Sequence, residues 1–389
     1  MPDRALRAAR RATRAFFLVA GIGIASWAPL VPFVKARLAL DEAQLGLVLL
    51  CLGVGSVASM PLVGWLSHRF GHRVTLAVSG VVLSALLPTL MLAPTTGALV
   101  VALFGFGAAN GVVDVAMNAH AVEVERGFAR PLMSGFHAVF SIGGLSGSAG
   151  MSALLATGVP VTTAALVIAG VLLVIVVGHV GLLLAAPPTA PVVASPAPAV
   201  RRSILHAVPA TAIWLGAMCL VLFLAEGAML DWSAVFLRTE RQVAIAHAGI
   251  GYAAFSIAMA IGRLLGDRIT AAFGPTRIVR TGSALAAAGL ALATITPWPA
   301  TAFAGFVLVG LGASNIVPVM FSAAGRIPHA PAAVSLAIVT ALGYAGMLTG
   351  PAAIGGLARA TSLPLALGSV ALLLAGVALT AARVLRRTA

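Results

Sequence analysis

The chain contains long apolar runs, each ended by turn residues or charges, and these runs constrain its fold more than any other feature. We place twelve of them near 15–34, 44–66, 74–93, 97–122, 131–156, 160–185, 209–237, 244–271, 278–296, 299–324, 332–357 and 362–383. A helix needs roughly 20 apolar residues to cross a bilayer. Only 9% of the residues are charged, whereas about a quarter is usual in a soluble domain. The sequence therefore predicts an all-α membrane protein with twelve transmembrane helices.

The basic residues of the connections predict the orientation. The N-terminal stretch "MPDRALRAARRATR" precedes an apolar run with no small-residue cleavage site, so we expect a retained first helix. If this end is cytoplasmic, most of the Lys and Arg residues fall on the cytoplasmic side, as the positive-inside rule requires. The exceptions are Lys35, Arg37, Arg238, Arg241 and Arg359. An even number of spans then places both termini in the cytoplasm.

One long polar connection divides the chain. Ala185–His206 is rich in proline and alanine, which predicts an extended cytoplasmic linker between a six-helix bundle at 1–184 and another at 207–389. The halves resemble each other: "GFGAAN" (105–110) matches "GLGASN" (310–315), and "HRFGHRV" (68–74) matches "DRITAAFGPTRI" (267–278). Repeated six-helix halves are typical of secondary transporters.

The stretch "GWLSHRFGHR" resembles the hallmark loop of the major facilitator superfamily, G-x-x-x-D-R-x-G-R-R. The resemblance implies a fold of two pseudo-symmetric bundles with a central cavity, and a cytoplasmic charge network that holds the outward-open state. The residues that it assigns to this gate are Gly64, His68, Arg69, Gly71, Arg73, Asp267 and Arg268. His68 replaces the usual acid, so either the network is weaker or pH-dependent in this half, or His68 only donates a hydrogen bond.

Three further stretches resemble the branch of that superfamily related to fucose–proton symporters and uncharacterised bacterial relatives. They are "DVAMN", "MSGFHAVFSIGG" and "EGAMLDWSAVFLR". This narrower resemblance implies a bacterial inner-membrane protein whose fourth and seventh helices carry the acids for substrate and proton.

A polar stripe on the fourth predicted helix is the main candidate site. Asn110, Asp114 and Asn118 recur every four residues and therefore share one helix face. Charged groups at membrane depth are costly, which makes Asp114 a functional candidate. On the fifth predicted helix, His137 has a depth similar to that of Asp114, so both faces are expected to line a wet cavity. The alternative is that these side chains only bond neighbouring helices together.

The seventh predicted helix supplies two more acids, Glu226 near the midplane and Asp231 closer to the exterior. We expect Glu226 in the cavity; Asp231 either joins it or pairs with Arg238 or Arg241 at the outer mouth. A buried carboxylate is costly when charged. This is what a proton-coupling group needs, although a static hydrogen-bonded acid would be buried in the same way.

Other cavity candidates are Asn315 in the tenth predicted helix, Tyr344 in the eleventh and Trp27 in the first. Asn315 with Pro318 predicts a polar, flexible point, with a purely structural kink as the alternative. The aromatic rings of Trp27 and Tyr344 are suited to stacking on a sugar ring. Arg263, four residues before Asp267, is expected to pair with it along the helix.

The sequence carries no enzyme, phosphate-loop or zinc-site pattern, and no cofactor is expected. Cys51 and Cys219 have no metal or redox spacing, and the basic residues are scattered, which argues against nucleic acid. We expect a monomeric, proton-coupled secondary transporter of a small polar, sugar-like solute. The alternatives are proton-driven efflux of hydrophobic compounds and a non-transporting membrane receptor or scaffold.

Overall fold

The computed structural model describes residues 4–128, 132–184, 210–328 and 332–386, and the predicted linker at 185–206 lies outside them. The side chains of some further residues, His68 and Asp267 among them, also lie outside the described part. The α helices are α1 (Arg4–Ala25), α2 (Val31–Arg37), α3 (Glu42–Leu92), α4 (Thr96–Phe128), α5 (Met133–Ala156), α6 (Val161–Val180), α7 (Ala210–Glu240), α8 (Ile250–Phe273), α9 (Pro275–Ile295), α10 (Pro299–Ala313), α11 (Ile316–Ala324), α12 (Ala332–Ala360) and α13 (Leu363–Leu385). Short 3-10 helices cover Ala28–Leu30 and Ile245–His247.

Within the described ranges, twelve segments are long and apolar enough to cross a membrane, which confirms the predicted all-α membrane fold. Four of them differ in form from the prediction. The first is built from α1, a 3-10 turn and α2 and covers Arg4–Arg37. The predicted second and third helices form the single element α3, and the predicted tenth is divided into α10 and α11.

The first span begins eleven residues earlier than the apolar run does. Arg4, Arg11 and Arg14 are exposed, while Ala12 and Thr13 on the other side of α1 are buried. The arginines recur at helical spacing, so one face of α1 stays polar while the other packs on the protein. A search for continuous apolar residues cannot find such an amphipathic start.

A single glycine separates the two halves of α3. Gly71 has φ 81° and ψ 159°, a backbone conformation that favours glycine, and the helix resumes directly after it. Gly274, between α8 and α9, has nearly the same conformation, with φ 78° and ψ 154°. The predicted repeat between these two stretches is therefore matched by the same backbone break in both.

By their contacts, the residues divide into two compact units. One comprises 1–40, 47–192 and 244–253, and the other 41–46, 193–243 and 254–389. In the first unit α1 packs along α5, and in the second α7 packs along α12. Small residues permit these approaches: a Cβ on Gly143 of α5 would lie 2.6 Å from the Leu18 carbonyl oxygen of α1.

Candidate functional site

The carboxylate predicted on the fourth helix is held by its own helix. In α4, Asn118 Nδ2 donates to the Asp114 main-chain carbonyl at 2.9 Å and to Asp114 Oδ1 at 3.3 Å. Asn110, Asp114 and Asn118 are each partly exposed, so none of the three side chains is fully enclosed by the protein. Among the described residues, Asn110 Oδ1 is buried and accepts no hydrogen bond. The stripe thus combines one positioned carboxylate with one unsatisfied acceptor.

Close packing against α3 fixes the orientation of α4. Gly111 lies so near α3 that a Cβ there would meet the Ser56 carbonyl oxygen at 2.5 Å. Ser59 Oγ donates across the same contact to the Ala108 carbonyl at 2.9 Å. Because Gly111 neighbours Asn110, this contact helps to determine the face on which the polar stripe lies.

His137 has an exposed side chain on α5, and its ring meets Phe17 edge-on with the ring centroids 5.2 Å apart. Phe17 also stacks on Phe136, at 5.5 Å. These contacts attach the His137 ring to α1. A shared cavity for His137 and Asp114 stays a prediction.

The sequence reasoning missed a buried histidine cluster in the same unit. His120 Nε2 accepts a hydrogen bond from the Leu184 main-chain N–H at 3.0 Å, so its Nδ1 carries the proton and donates to Thr13 Oγ1, also at 3.0 Å. His72, 2% exposed, lies 3.2 Å from a Glu123 carboxylate oxygen. Both histidines are ionisable residues within apolar helices, and this signal was available in the sequence. The prediction considered only the acids and His137 in this way.

In the second unit, Glu226 of α7 faces an arginine on the neighbouring helix. Arg263 Nη2 of α8 lies 3.6 Å from Glu226 Oε1, and the side chains are 39% and 17% exposed. That distance is too long for a hydrogen bond. Glu226 Oε1 is buried and has no hydrogen-bond partner among the described residues. Arg263, expected to pair with Asp267, is thus the counter-charge of the predicted acid.

Asn315 lies at the break between α10 and α11, beside this ion pair. Its Nδ2 donates to the Gly262 carbonyl at 2.8 Å and to Ser314 Oγ at 2.9 Å. Gly262 directly precedes Arg263, so the amide of Asn315 links the broken helix to the turn of α8 that carries the arginine. The helix is interrupted at this predicted point and is stabilised there by a side-chain bond to α8. Its flexibility stays a prediction beside the alternative of a purely structural kink.

The structure buries Asp231 of α7 almost completely, at 8% exposure. The predicted alternative partner Arg241 is otherwise engaged: its Nη2 donates to the Ala293 and Thr294 carbonyls at 2.7 and 3.1 Å, and its guanidinium lies over Phe236. In the described part of the chain, Asp231 makes no ion pair within 4.0 Å. The pairing of Asp231 with Arg241 is wrong for this conformation.

The two predicted stacking aromatics have different surroundings. Trp27 is fully buried at the end of α1, so its ring is not available for stacking in this conformation. Tyr344 of α12 is 37% exposed and stacks on Phe223 of α7 at 6.0 Å. Phe223 lies three residues before Glu226, so Tyr344 is on the side of α7 that carries the acid.

The predicted gate residues are only partly described. Arg73 Nη2 donates to the Gly181 and Leu183 carbonyls at the end of α6. Arg69 lies over the Phe70 ring, with its guanidinium carbon 5.4 Å from the centroid, and Arg268 is exposed. The surroundings of Gly64 and the side chains of His68 and Asp267 fall outside the described part, so the gate network stays a prediction.

Within the described ranges, no group of three or more His, Cys, Asp and Glu side chains could hold a metal ion. The described side chains of the two units offer carboxylates, amide groups, histidines and an arginine that faces an acid. Among these described groups, Asp114 has an orphaned amide acceptor, Asn110 Oδ1, one helical turn away, and Glu226 has an orphaned oxygen of its own. Such positions suit reversible protonation and the binding of hydroxyl or amine donors.

Comparison with known proteins gives consistent matches. The family model of the Major Facilitator Superfamily matches residues 15–244. An uncharacterised MFS-type transporter of Yersinia pestis is 46% identical over 384 residues, which cover 96% of this chain and 95% of that protein. A mutant of the nucleoside transporter NupG has the same fold, with a TM-score of 0.76, 14% identity and coverage of 97% and 98%. A D-xylose-proton symporter has a TM-score of 0.75 and 16% identity, with 96% of each chain covered.

Proposed function

Because the chain belongs to the major facilitator superfamily, a family of multi-pass membrane transporters rather than enzymes, we propose that it carries a small polar, sugar-like solute. The transport is coupled to protons, crosses the bacterial inner membrane and proceeds by alternating access. The cavity in this proposal is lined by the residues predicted from the sequence: Asn110, Asp114, Asn118, His137, Glu226, Asp231, Asn315 and Tyr344. Trp27, which is buried here, would join them only in another conformation.

The observation that carries the proposal is a pair of orphaned acceptors, one on Asn110, a helical turn before Asp114, and one on Glu226 itself. Asn110 Oδ1 and Glu226 Oε1 are buried without a hydrogen-bond donor among the described residues. Buried acceptors are nearly always satisfied in native proteins, so an unsatisfied one needs a partner that the protein does not supply. A solute with several hydroxyl groups supplies such donors, whereas an apolar compound would leave both acceptors unpaired.

The two acids also support proton coupling. A charged carboxylate among apolar helices is expensive, and a proton removes that cost. Neither Asp114 nor Glu226 is fully buried, and in this proposal protons reach both carboxyl groups through the cavity. One of the proteins with this fold is described as a D-xylose-proton symporter, and the same use of a proton gradient fits the acids here.

The proposal includes the topology. Two six-helix halves at 1–184 and 207–389 are joined by the linker 185–206, the protein is a monomer, and both termini are cytoplasmic. The exposed arginines at the start of α1 support this orientation through the positive-inside rule. Labelling of single cysteines placed at residue 4 and residue 386 with an impermeant reagent tests it: both should react only when the cytoplasmic face is open to the reagent.

Transport is tested in proteoliposomes with an imposed proton gradient and a panel of sugars, nucleosides, organic acids and amines. We expect gradient-driven accumulation of at least one polar solute. Asp114→Asn and Glu226→Gln should each abolish accumulation, because each removes a titratable group. Glu240→Gln, at the end of α7, is the matched control and should accumulate normally.

Normal accumulation by both amide variants would refute the site assignment. Proton-linked flux of lipophilic cations, with none of any polar solute, would favour the efflux alternative. The absence of all flux, together with partner-dependent signalling, would favour the receptor alternative.

A further inference from the structure

An arginine-lined cavity lies apart from the acids, at the ends of three helices. It has a volume of about 410 Å³ and is bounded by the end of α8, the start of α9 and the end of α13. Arg277 and Arg280 line it from α9 and Arg386 from α13, with Phe273 at its edge. This volume is in the range of small-molecule sites, about 300–1,000 Å³.

The three guanidinium groups are free to bind a ligand. All three side chains are exposed, and among the described residues none of them makes a hydrogen bond or ion pair. Because α9 begins with Pro275, which has no N–H, the free donors of its first turn are the N–H groups of Thr276 and Arg277, for which Gly274 provides no side-chain cap. The carbonyl end of α13 contributes about half a negative charge, which three arginines outweigh.

The equivalent place in the first unit is filled by the protein itself. There, Arg73 follows Gly71 and donates to the Gly181 and Leu183 carbonyls at the end of α6. In the second unit the backbone turns in the same way at Gly274, but Arg277 makes no such bond in the described structure. The corresponding space is therefore closed in the first unit, whereas in the second unit it stays open and is lined by arginines.

An exposed apolar stripe leads away from the cavity along α13. Leu365, Leu372 and Leu379 are 64%, 75% and 78% exposed. They recur every seven residues, as does Arg386 after Leu379, so all four lie on nearly one face of the helix. The ligand that fits a cationic cavity continued by an apolar stripe has a phosphate at one end and hydrocarbon at the other.

We propose that this cavity binds the phosphate of an anionic phospholipid, whose acyl chains lie along the part of the leucine stripe nearest Arg386, past Leu379 and toward Leu372. Basic pockets between the ends of membrane helices are suited to such head groups. The cavity lies at the ends of spanning segments, at head-group level, whichever side of the membrane it occupies. Free phosphate shares the head-group chemistry but has nothing to place on the stripe.

The test uses the purified full-length protein in detergent micelles. Dioleoyl phosphatidylglycerol, dioleoyl phosphatidylcholine or inorganic phosphate is added, thermal unfolding is followed, and bound lipid is counted by native mass spectrometry. Each arginine near a lipid phosphate contributes about fivefold in affinity. A triple variant of the cavity, with Arg277→Gln, Arg280→Gln and Arg386→Gln, should therefore bind phosphatidylglycerol about 100-fold more weakly.

Two further variants separate the site from general charge and from misfolding. Arg4→Gln with Arg11→Gln and Arg14→Gln removes three exposed arginines from α1 and should leave phosphatidylglycerol binding unchanged. Ala382→Phe fills the cavity without changing the charge and should also abolish the preference for phosphatidylglycerol. None of these readouts needs transport, so they do not depend on the proposed function.

Equal stabilisation of the wild type by both lipids would overturn the proposal. It would also fall if the α1 variant lost binding as strongly as the cavity variant did, or if inorganic phosphate alone reproduced the stabilisation. Selective binding of phosphatidylglycerol that is lost in both cavity variants and kept in the α1 variant is the expected result.

Discussion

Replacing Arg263 by glutamine should destabilise the protein more than replacing its partner Glu226. The charged atoms lie 3.6 Å apart, and at an effective dielectric constant of about 20 this corresponds to roughly 4–5 kcal/mol of direct attraction. Exposed pairs retain only ~0.2–1 kcal/mol of such attraction, and breaking fully buried ones costs ~3–5 kcal/mol. With Arg263 39% and Glu226 17% exposed, we expect Arg263→Gln to lower the free energy of unfolding by about 1–3 kcal/mol.

The two variants should differ in their cost to stability because each leaves a different charged group without its partner. Arg263→Gln leaves the Glu226 carboxylate with an oxygen that is buried and lacks a hydrogen bond. Glu226→Gln leaves a guanidinium that is already more than one-third exposed and can complete its hydration, so its cost should be smaller. In the double variant neither charge remains, and the protein should recover part of the loss caused by Arg263→Gln alone.

Unfolding in mixed detergent micelles, followed for the wild type, both single variants and the double variant, gives the coupling energy directly. We expect about 1–2 kcal/mol of coupling, with Arg268→Gln, an exposed arginine on the same helix, as a control near zero. If the effects of the two single variants simply add up in the double variant, the ion pair contributes nothing to stability and the reasoning is refuted.

The remaining predictions concern packing and helix connections. Gly143→Leu should prevent stable folding, since even a Cβ there would lie 2.6 Å from a backbone carbonyl of α1; Gly144→Ala, whose nearest neighbour would be 3.9 Å away, should be nearly neutral in the same thermal unfolding assay. Arg241→Gln should cost ~2–4 kcal/mol, because its Nη2 donates to two backbone carbonyls, and equal melting temperatures would contradict this. Asn315→Ala should cost ~1–2 kcal/mol through the freed Gly262 carbonyl, whereas Asn315→Asp, which keeps the shape but loses the donor, should cost at least as much.

Periodicity was sufficient to predict the spans and the stripe on α4. The apolar runs require membrane crossing, and the four-residue spacing of Asn110, Asp114 and Asn118 is a property of one helix. The bond from Asn118 to Asp114 is likewise local. Local spacing did not show where α1 begins, however, because the first turns of α1 are amphipathic rather than apolar.

Contacts between helices could not be predicted in this way. Arg263 and Glu226 face each other from α8 and α7, 37 positions apart in the numbering, and their spacing gives no sign of this contact. The expected pair of Arg263 with Asp267 stays a prediction, because the Asp267 side chain lies outside the described part. His120 and Thr13 are separated by 107 positions and still form a hydrogen bond. Without a second sequence that varies in parallel, nothing in the spacing of such residues indicates which helices lie side by side.

The two repeats have the same backbone break at a glycine but differ in the surroundings of their polar residues. Gly71 and Gly274 have the same conformation, whereas Asn110 lies within the continuous α4 and its counterpart Asn315 lies at a break between helices. The repeat therefore preserves helix ends but not the surroundings of the polar residues. The two acids should accordingly have different roles.

Asp114 is bonded to Asn118 of its own helix, so a rigid movement of α4 leaves this hydrogen bond intact. Glu226 faces an arginine on another helix, and a change in the spacing of α7 and α8 alters its electrostatic environment. A coupling group has to change its proton affinity during transport, and only Glu226 has a partner that can move away from it. Glu226→Gln should therefore abolish accumulation but retain solute exchange, whereas Asp114→Asn should weaken exchange as well. Exchange assays in the absence of a proton gradient separate the two, and the opposite pattern would assign coupling to Asp114.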